Sequence, residues 1–128
     1  MLLERLLNSW LRGPRTGHPV VGHALSAFKG GSRRIGDVVA ETGLSSRRFI
    51  RLFSDEVGLT PKSFCRVRRF QRTVARLHGL RAVDWAETAL ACGYYDQAHM
   101  IHDFRDFSGL SPASYLSCRV EHMNHVPQ

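Results

Sequence analysis

The chain has 128 residues, 43% of them hydrophobic and 23% charged, and a formal net charge of +7. That size suits one all-helical domain or two very small subdomains, and the composition excludes disordered and fibrous classes. No apolar run approaches the roughly 20 residues of a membrane span, and the start MLLERLLNSW lacks a cleavable signal pattern, so neither membrane insertion nor export is expected. Three scattered cysteines, Cys65, Cys92 and Cys118, read as reduced thiols.

Residues 1–12 spell a short amphipathic helix, with Leu2, Leu3, Leu6, Leu7, Trp10 and Leu11 on one stripe, and a Gly/Pro linker follows at 13–19. A helix over about 20–28 ends at Lys29-Gly30-Gly31. The next is expected near 34–42, turning Ile35, Val38, Val39 and Thr42 toward a core, and Gly43 supplies the turn after it. Ser45 is a good N-cap for a helix running to about residue 57, where Gly58 ends it. Thr60-Pro61 then starts a helix of some 18 residues, to about 78, or roughly 27 Å. Asp84 and Glu87 form a capping box for a helix that ends before Gly93. Asp96 caps the following helix, Gly109 ends it, and Ser111-Pro112 opens a short final one that frays from about residue 120.

Half of this pattern repeats the other half. Residues 35–64 return, altered, as 85–115. Gly43 matches Gly93 at an offset of 50, whereas Phe53 matches Phe104, Gly58 matches Gly109 and Pro61 matches Pro112 at 51. One residue has been added in the second turn, at Tyr94-Tyr95, where insertion is tolerated. Each copy reads as helix, turn, helix. Residues 32–81 hold 12 Lys/Arg against 4 Asp/Glu, a net +8; residues 82–128 hold 2 against 6, a net −4. Such a basic segment attracts phosphates.

Helical spacing separates two faces of the second helix in each copy. Phe49, Leu52, Phe53 and Val57 should face a core, and Arg47, Ile50, Arg51 and Ser54 the other side. Arginine can bond both acceptors of a guanine edge, and an apolar side chain can touch a thymine methyl. In the second copy the same offset gives a core of Met100, Phe104 and Phe107 and an outward face of Ala98, Ile101, His102 and Arg105, with Gln97 near the exposed N-terminal end. This face is poorer in charge, so the first copy should carry most of the affinity.

No phosphate loop, nucleophile elbow or other catalytic set is present, so neither enzyme activity nor a cofactor is expected. The carboxylates, Asp55-Glu56 and Asp103/Asp106 among them, are read as caps or solvated groups. Cys118, His122 and His125 offer only three ligands, so no metal site is expected. Trp85 matches Ile35 and is read as core rather than a stacking platform; Cys92 reads as a small buried residue.

The stretches ACGYYDQAHMIHDFRDFSGLSPASYL (91–116) and VAETGLSSRRFIRLFSDEVGLTP (39–61) resemble the two DNA-binding motifs of the AraC/XylS family of bacterial transcription regulators. The resemblance covers about 20–118. It implies an all-α fold of seven helices in two homeodomain-like helix-turn-helix subdomains, 20–60 and 79–118, joined by a connecting helix at 61–78. An N-terminal helix and linker (1–19) and a flexible tail (119–128) flank them. Each subdomain would offer one recognition helix to successive major-groove segments, about 34 Å apart on one DNA face. By position, the base-reading places fall on Arg47, Ile50 and Arg51, then on Gln97, Ala98 and His102. Arg33, Arg34, Ser45, Lys62, Arg66 and Arg105 are the candidates for phosphate contact.

The implied partners are double-stranded DNA, RNA polymerase, and an effector-binding or dimerisation domain upstream. The implied place is a bacterial cytoplasm, at the nucleoid. About 19 residues precede the region of resemblance, so the chain reads as a small stand-alone regulator or a C-terminal piece of a longer one; the leucine-rich stretch at 1–12 favours the second. The rival expectation is a protein-interaction or targeting module, a partner of RNA polymerase or of a DNA repair protein, whose DNA binding would show a salt slope without sequence preference.

Overall fold

A computed structural model describes residues 17–31, 33–80 and 82–124, and these are all helix and turn. Among the described residues there are seven helices: α1 (Pro19–Lys29), α2 (Ile35–Thr42), α3 (Ser46–Val57), α4 (Pro61–Leu77), α5 (Trp85–Ala91), α6 (Gln97–Ser108) and α7 (Pro112–Asn124). None is long and apolar enough to cross a membrane. The helix expected over 1–12 and residues 13–16 of the linker lie outside the described residues, as do the side chains of His122 and His125. The chain forms two compact units that part within α4, one ending at Cys65 and the other beginning at Arg66.

In the first unit, α1 starts on Pro19, whose missing N–H costs nothing there, and the His18 imidazole accepts from the Val20 N–H at 3.1 Å. Val21, Ala24 and Phe28 face inward at helical spacing and meet Val38 and Val39 of α2, Phe49, Phe53 and Val57 of α3, and Phe64 of α4. Phe53 sits at the centre, with ring centroids 5.7 Å from Phe28, 5.8 Å from Phe49 and 5.8 Å from Phe64. The turn from α2 to α3 rests on Gly43 at φ +75°, a left-handed conformation that costs other residues free energy. Thr42 secures it: its hydroxyl donates to the Val39 carbonyl at 2.6 Å and accepts from the Leu44 N–H at 3.2 Å.

In the second unit, Ala89, Cys92, Tyr94 and Met100 form one buried cluster, and Phe70, Leu77 and Phe104 another. Trp85 packs against both, in keeping with its reading as core. Phe104 lies 5.0 Å from Phe70 and 5.3 Å from Tyr115, ring centre to ring centre. The longer turn divides its two tyrosines: Tyr94 is buried where Leu44 sits in the first copy, and Tyr95, 86% exposed, is the added residue. Two expectations need correction. The capping box of α5 is half formed, because Asp84 accepts from the Glu87 N–H at 3.1 Å while the Glu87 carboxylate accepts from Arg76 at 3.1 Å. A charged guanidinium is a stronger donor than a neutral amide. The last helix also runs on to Asn124 rather than fraying near 120.

Gly43 and Gly22 both have open space where a Cβ would go, but only Gly43 has positive φ. Gly43→Ala should therefore cost about 1–2 kcal/mol, and Gly22→Ala, in the middle of α1, should add about 1 kcal/mol. Urea unfolding of the two variants checks the opposite signs.

Candidate nucleic-acid interface

The rotation of α3 about its axis is set by Phe49, Phe53 and Val57, all buried. Ser45 caps its start, accepting from the Arg48 N–H at 3.2 Å, and Gly58 at φ +88° closes its end. Arg47, Ile50 and Arg51 are left exposed on one face, as their spacing predicts. Arg48 is exposed beside them and went unread in the sequence, because neither motif spacing nor core periodicity singled it out. Among the described residues none of these three guanidiniums has a side-chain hydrogen bond or an ion pair. Unpaired and solvated, they are open to an anion or a base edge. The Ser45 oxygen serves as cap acceptor, which leaves its hydroxyl hydrogen to donate outward.

The flanking cations fall into two groups. Arg34 and Lys62 are exposed and have no ion pair among the described residues. Arg33 is also exposed but holds both Glu41 oxygens, and His23 approaches the same carboxylate at 3.4 Å. The Arg33 hydrogen bonds hold the Glu41 carboxyl below its usual range. This solvated pair is one that a phosphate can replace.

α6 is capped by Asp96, which accepts from the His99 N–H at 2.8 Å, and ended by Gly109 at φ +78°. It exposes Gln97, Ala98, His102 and Arg105, while Ile101 is half-buried. Arg105, Gln97 and Ser111 edge a shallow depression of about 140 Å³ floored by Trp85, Met100 and Pro112. The reading of Asp103 as a solvated carboxylate is overturned: it is 2% exposed. Its Oδ1 accepts from Arg66 Nε at 3.1 Å and Nη2 at 2.9 Å, and its Oδ2 lies 3.9 Å from both Arg69 Nη2 and His99 Nε2. The 51-residue offset pairs Asp103 with Leu52, a core position, so the repeat carried the signal for burial. A carboxylate can sit there because α4 brings arginines to it.

Those arginines are consequently not a free basic surface. Arg66 also donates to Asp106 at 2.8 Å and stacks over Phe107 at 5.2 Å, and the Asp103 bonds raise its pKa above the ordinary value. Arg69 lies over the Tyr94 ring at 5.6 Å, Arg72 donates to the Cys92 carbonyl at 3.1 Å, and Arg76 holds Glu87. Arg68 donates to Gln71 at 3.2 Å; burial, and then the charge of Arg72, lower its pKa. From residue 66 onward the chain holds 8 Lys/Arg against 6 Asp/Glu, a net +2, whereas residues 1–65 hold 10 against 5, a net +5. Of the six residues proposed for phosphate contact, Arg66 is thus committed inside its own unit.

A helix-turn-helix domain profile matches residues 38–117, spanning both motifs. The chain belongs to the AraC family of DNA-binding transcription regulators. An HTH-type transcriptional regulator of Mycobacterium tuberculosis, Rv1931c, is 34% identical over 87 residues, which cover 67% of this chain and 33% of that protein. The chain thus matches about a third of the length of that curated relative. Among solved structures, the DNA-binding domain of AdpA in complex with a target DNA shares the fold at a TM-score of 0.73 and 20% identity, over 86% of this chain and 100% of that one. A probable AraC family transcriptional regulator from Rhodopseudomonas palustris CGA009 matches at 0.66 and 27% identity, over 78% and 96%. The AraC family is a family of regulators rather than a class of enzymes.

Removing the Asp103 carboxylate leaves Arg66, whose side chain is 29% exposed, without its main partner. Asp103→Ala should lower stability by about 2–3 kcal/mol, somewhat less than for a fully buried pair. Asp103→Leu, which restores the residue of the first copy, should cost less, and denaturant melts of the two variants make the comparison.

Proposed function

We propose that the chain regulates transcription by binding a bipartite site on double-stranded DNA, with α3 and α6 each reading a major-groove segment. Arg47, Ile50 and Arg51 read bases in the first half-site, and Gln97, Ala98 and His102 in the second. Arg34, Lys62, Ser45 and Arg105 bond phosphates, Arg33 does so by exchanging Glu41 for a phosphate oxygen, and Arg48 joins them from the edge of α3. Arg66 acts at one remove, by holding α6 to α4. The reading is carried by one observation: on α3, Arg47 and Arg51 stand exposed and unpaired around Ile50, directly opposite a buried Phe49/Phe53 face. Two guanidiniums and one apolar side chain are what guanine edges and a thymine methyl require. The AdpA domain, solved with its target DNA, supports the same use of this fold. The mycobacterial relative extends well beyond the matched region, which leaves room for an effector or dimerisation domain as a further partner. RNA polymerase is the partner through which bound regulator would act, at the nucleoid of a bacterial cytoplasm.

Selection from a random duplex pool at about 150 mM salt should enrich two motifs one helical turn apart. Binding that vanishes with rising salt and enriches nothing would defeat the proposal. Arg51→Ala should cost about 1–3 kcal/mol of binding and relax preference at one base position. A uniform loss across all sequences would make Arg51 a phosphate contact instead. His102→Ala should cost less than Arg51→Ala in the same titration, since the first unit carries the larger free charge.

A further inference from the structure

Both copies of the motif place an aspartate one turn after the central reading position: Asp55 follows Arg51, and Asp106 follows His102, each four residues on. Among the described residues Arg51 and Asp55 make no ion pair, whereas His102 Nε2 lies 3.4 Å from Asp106 Oδ2. In the second unit α4 sets an arginine beside the aspartate, whereas the residues that pack against α3 in the first unit are apolar. Arg66 donates to that same Asp106 oxygen at 2.8 Å and is itself anchored by two bonds to buried Asp103. Asp106 Oδ2 is therefore a charged acceptor held in place from behind, beside an imidazole that is 75% exposed.

A carboxylate oxygen at this distance favours a proton on the nitrogen that faces it. In the neutral ring that leaves Nδ1 as a hydrogen-bond acceptor. An acceptor in the major groove pairs with an exocyclic amino group, N6 of adenine or N4 of cytosine, and is repelled by the O6 and N7 of guanine. Arg51 carries donors only and asks for the opposite edge. We propose that Asp106 is a specificity-determining residue: acting through His102, it makes the second half-site carry adenine or cytosine where the first carries guanine. The inference rests on the reading of His102 as a base contact given above.

The test is site selection with the full chain at pH 8, comparing the protein with Asp106→Ala, Asp106→Asn, His102→Ala and the double variant. Asp106→Asn keeps an acceptor for Arg66, so it preserves the packing of α6 while removing the charge. The unaltered protein should prefer adenine or cytosine over guanine about fivefold at one position of the second half-site, the size of one hydrogen bond. Asp106→Ala should bring that preference below about twofold, and Asp106→Asn should fall between, with the guanine preference of the first half-site unchanged in both. In the His102→Ala background, Asp106→Ala should change nothing further. A guanine preference at that position in the unaltered protein overturns the inference, as does an unmoved preference in both Asp106 variants or a shift that survives in the His102→Ala background. Those results, with both half-sites still enriched, leave the bipartite reading standing. Loss of any second half-site in the unaltered protein overturns both.

Discussion

A helix can read bases only when its rotation about its own axis is fixed, since a turn of one residue swings a different set of side chains outward. In the first unit that constraint is met by apolar packing alone. Phe53 is surrounded by Phe28, Phe49 and Phe64, and the rings of Phe28 on α1 and Phe64 on α4 hold α3 with its arginines outward. In the second unit the corresponding stripe contains Asp103, and the constraint is met by packing and an ion pair together. Phe104 and Met100 take the apolar share, and Arg66 holds the carboxylate that lies between them on the helical surface.

The choice of a charge at that position has consequences along α4. A buried carboxylate is tolerable only when paired and hydrogen-bonded. Arg66 supplies the hydrogen bonds, and Arg69 adds a second positive charge 3.9 Å from the other oxygen. Their neighbours Arg72 and Arg76 reach the Cys92 carbonyl and Glu87 on the other helix of the motif. A run that reads as a phosphate-binding surface is thereby spent on internal structure. Among the described residues the largest group of free arginines is Arg47, Arg48 and Arg51, with Arg105 exposed and unpaired on α6. Duplication has produced two similar scaffolds with different chemistry: α3 offers donors, and α6 offers an amide, a methyl and an imidazole.

Much was legible in the chain itself. The repeat, its 51-residue offset and the Gly turns placed the helices from α2 to α6 to within a residue or two, because caps and left-handed glycines act locally. The outward positions of Arg47, Ile50, Arg51, Gln97, Ala98 and His102 followed from period 3.6 and hold in the structure. Arg48 did not follow, since it lies at the border between the faces.

What the sequence determined by itself, then, was local and periodic: helix limits, turn chemistry, the buried stripe and the family. The tertiary structure alone decided the fate of the charges. Whether an arginine meets solvent or a carboxylate depends on residues about 40 positions away, as with Arg66 and Asp103, and only packing brings them within 3 Å. Asp103 reads as a surface residue by its type and as a core residue by its place. The fold settles the conflict, because α4 delivers the guanidinium that makes burial of the carboxylate affordable in free energy.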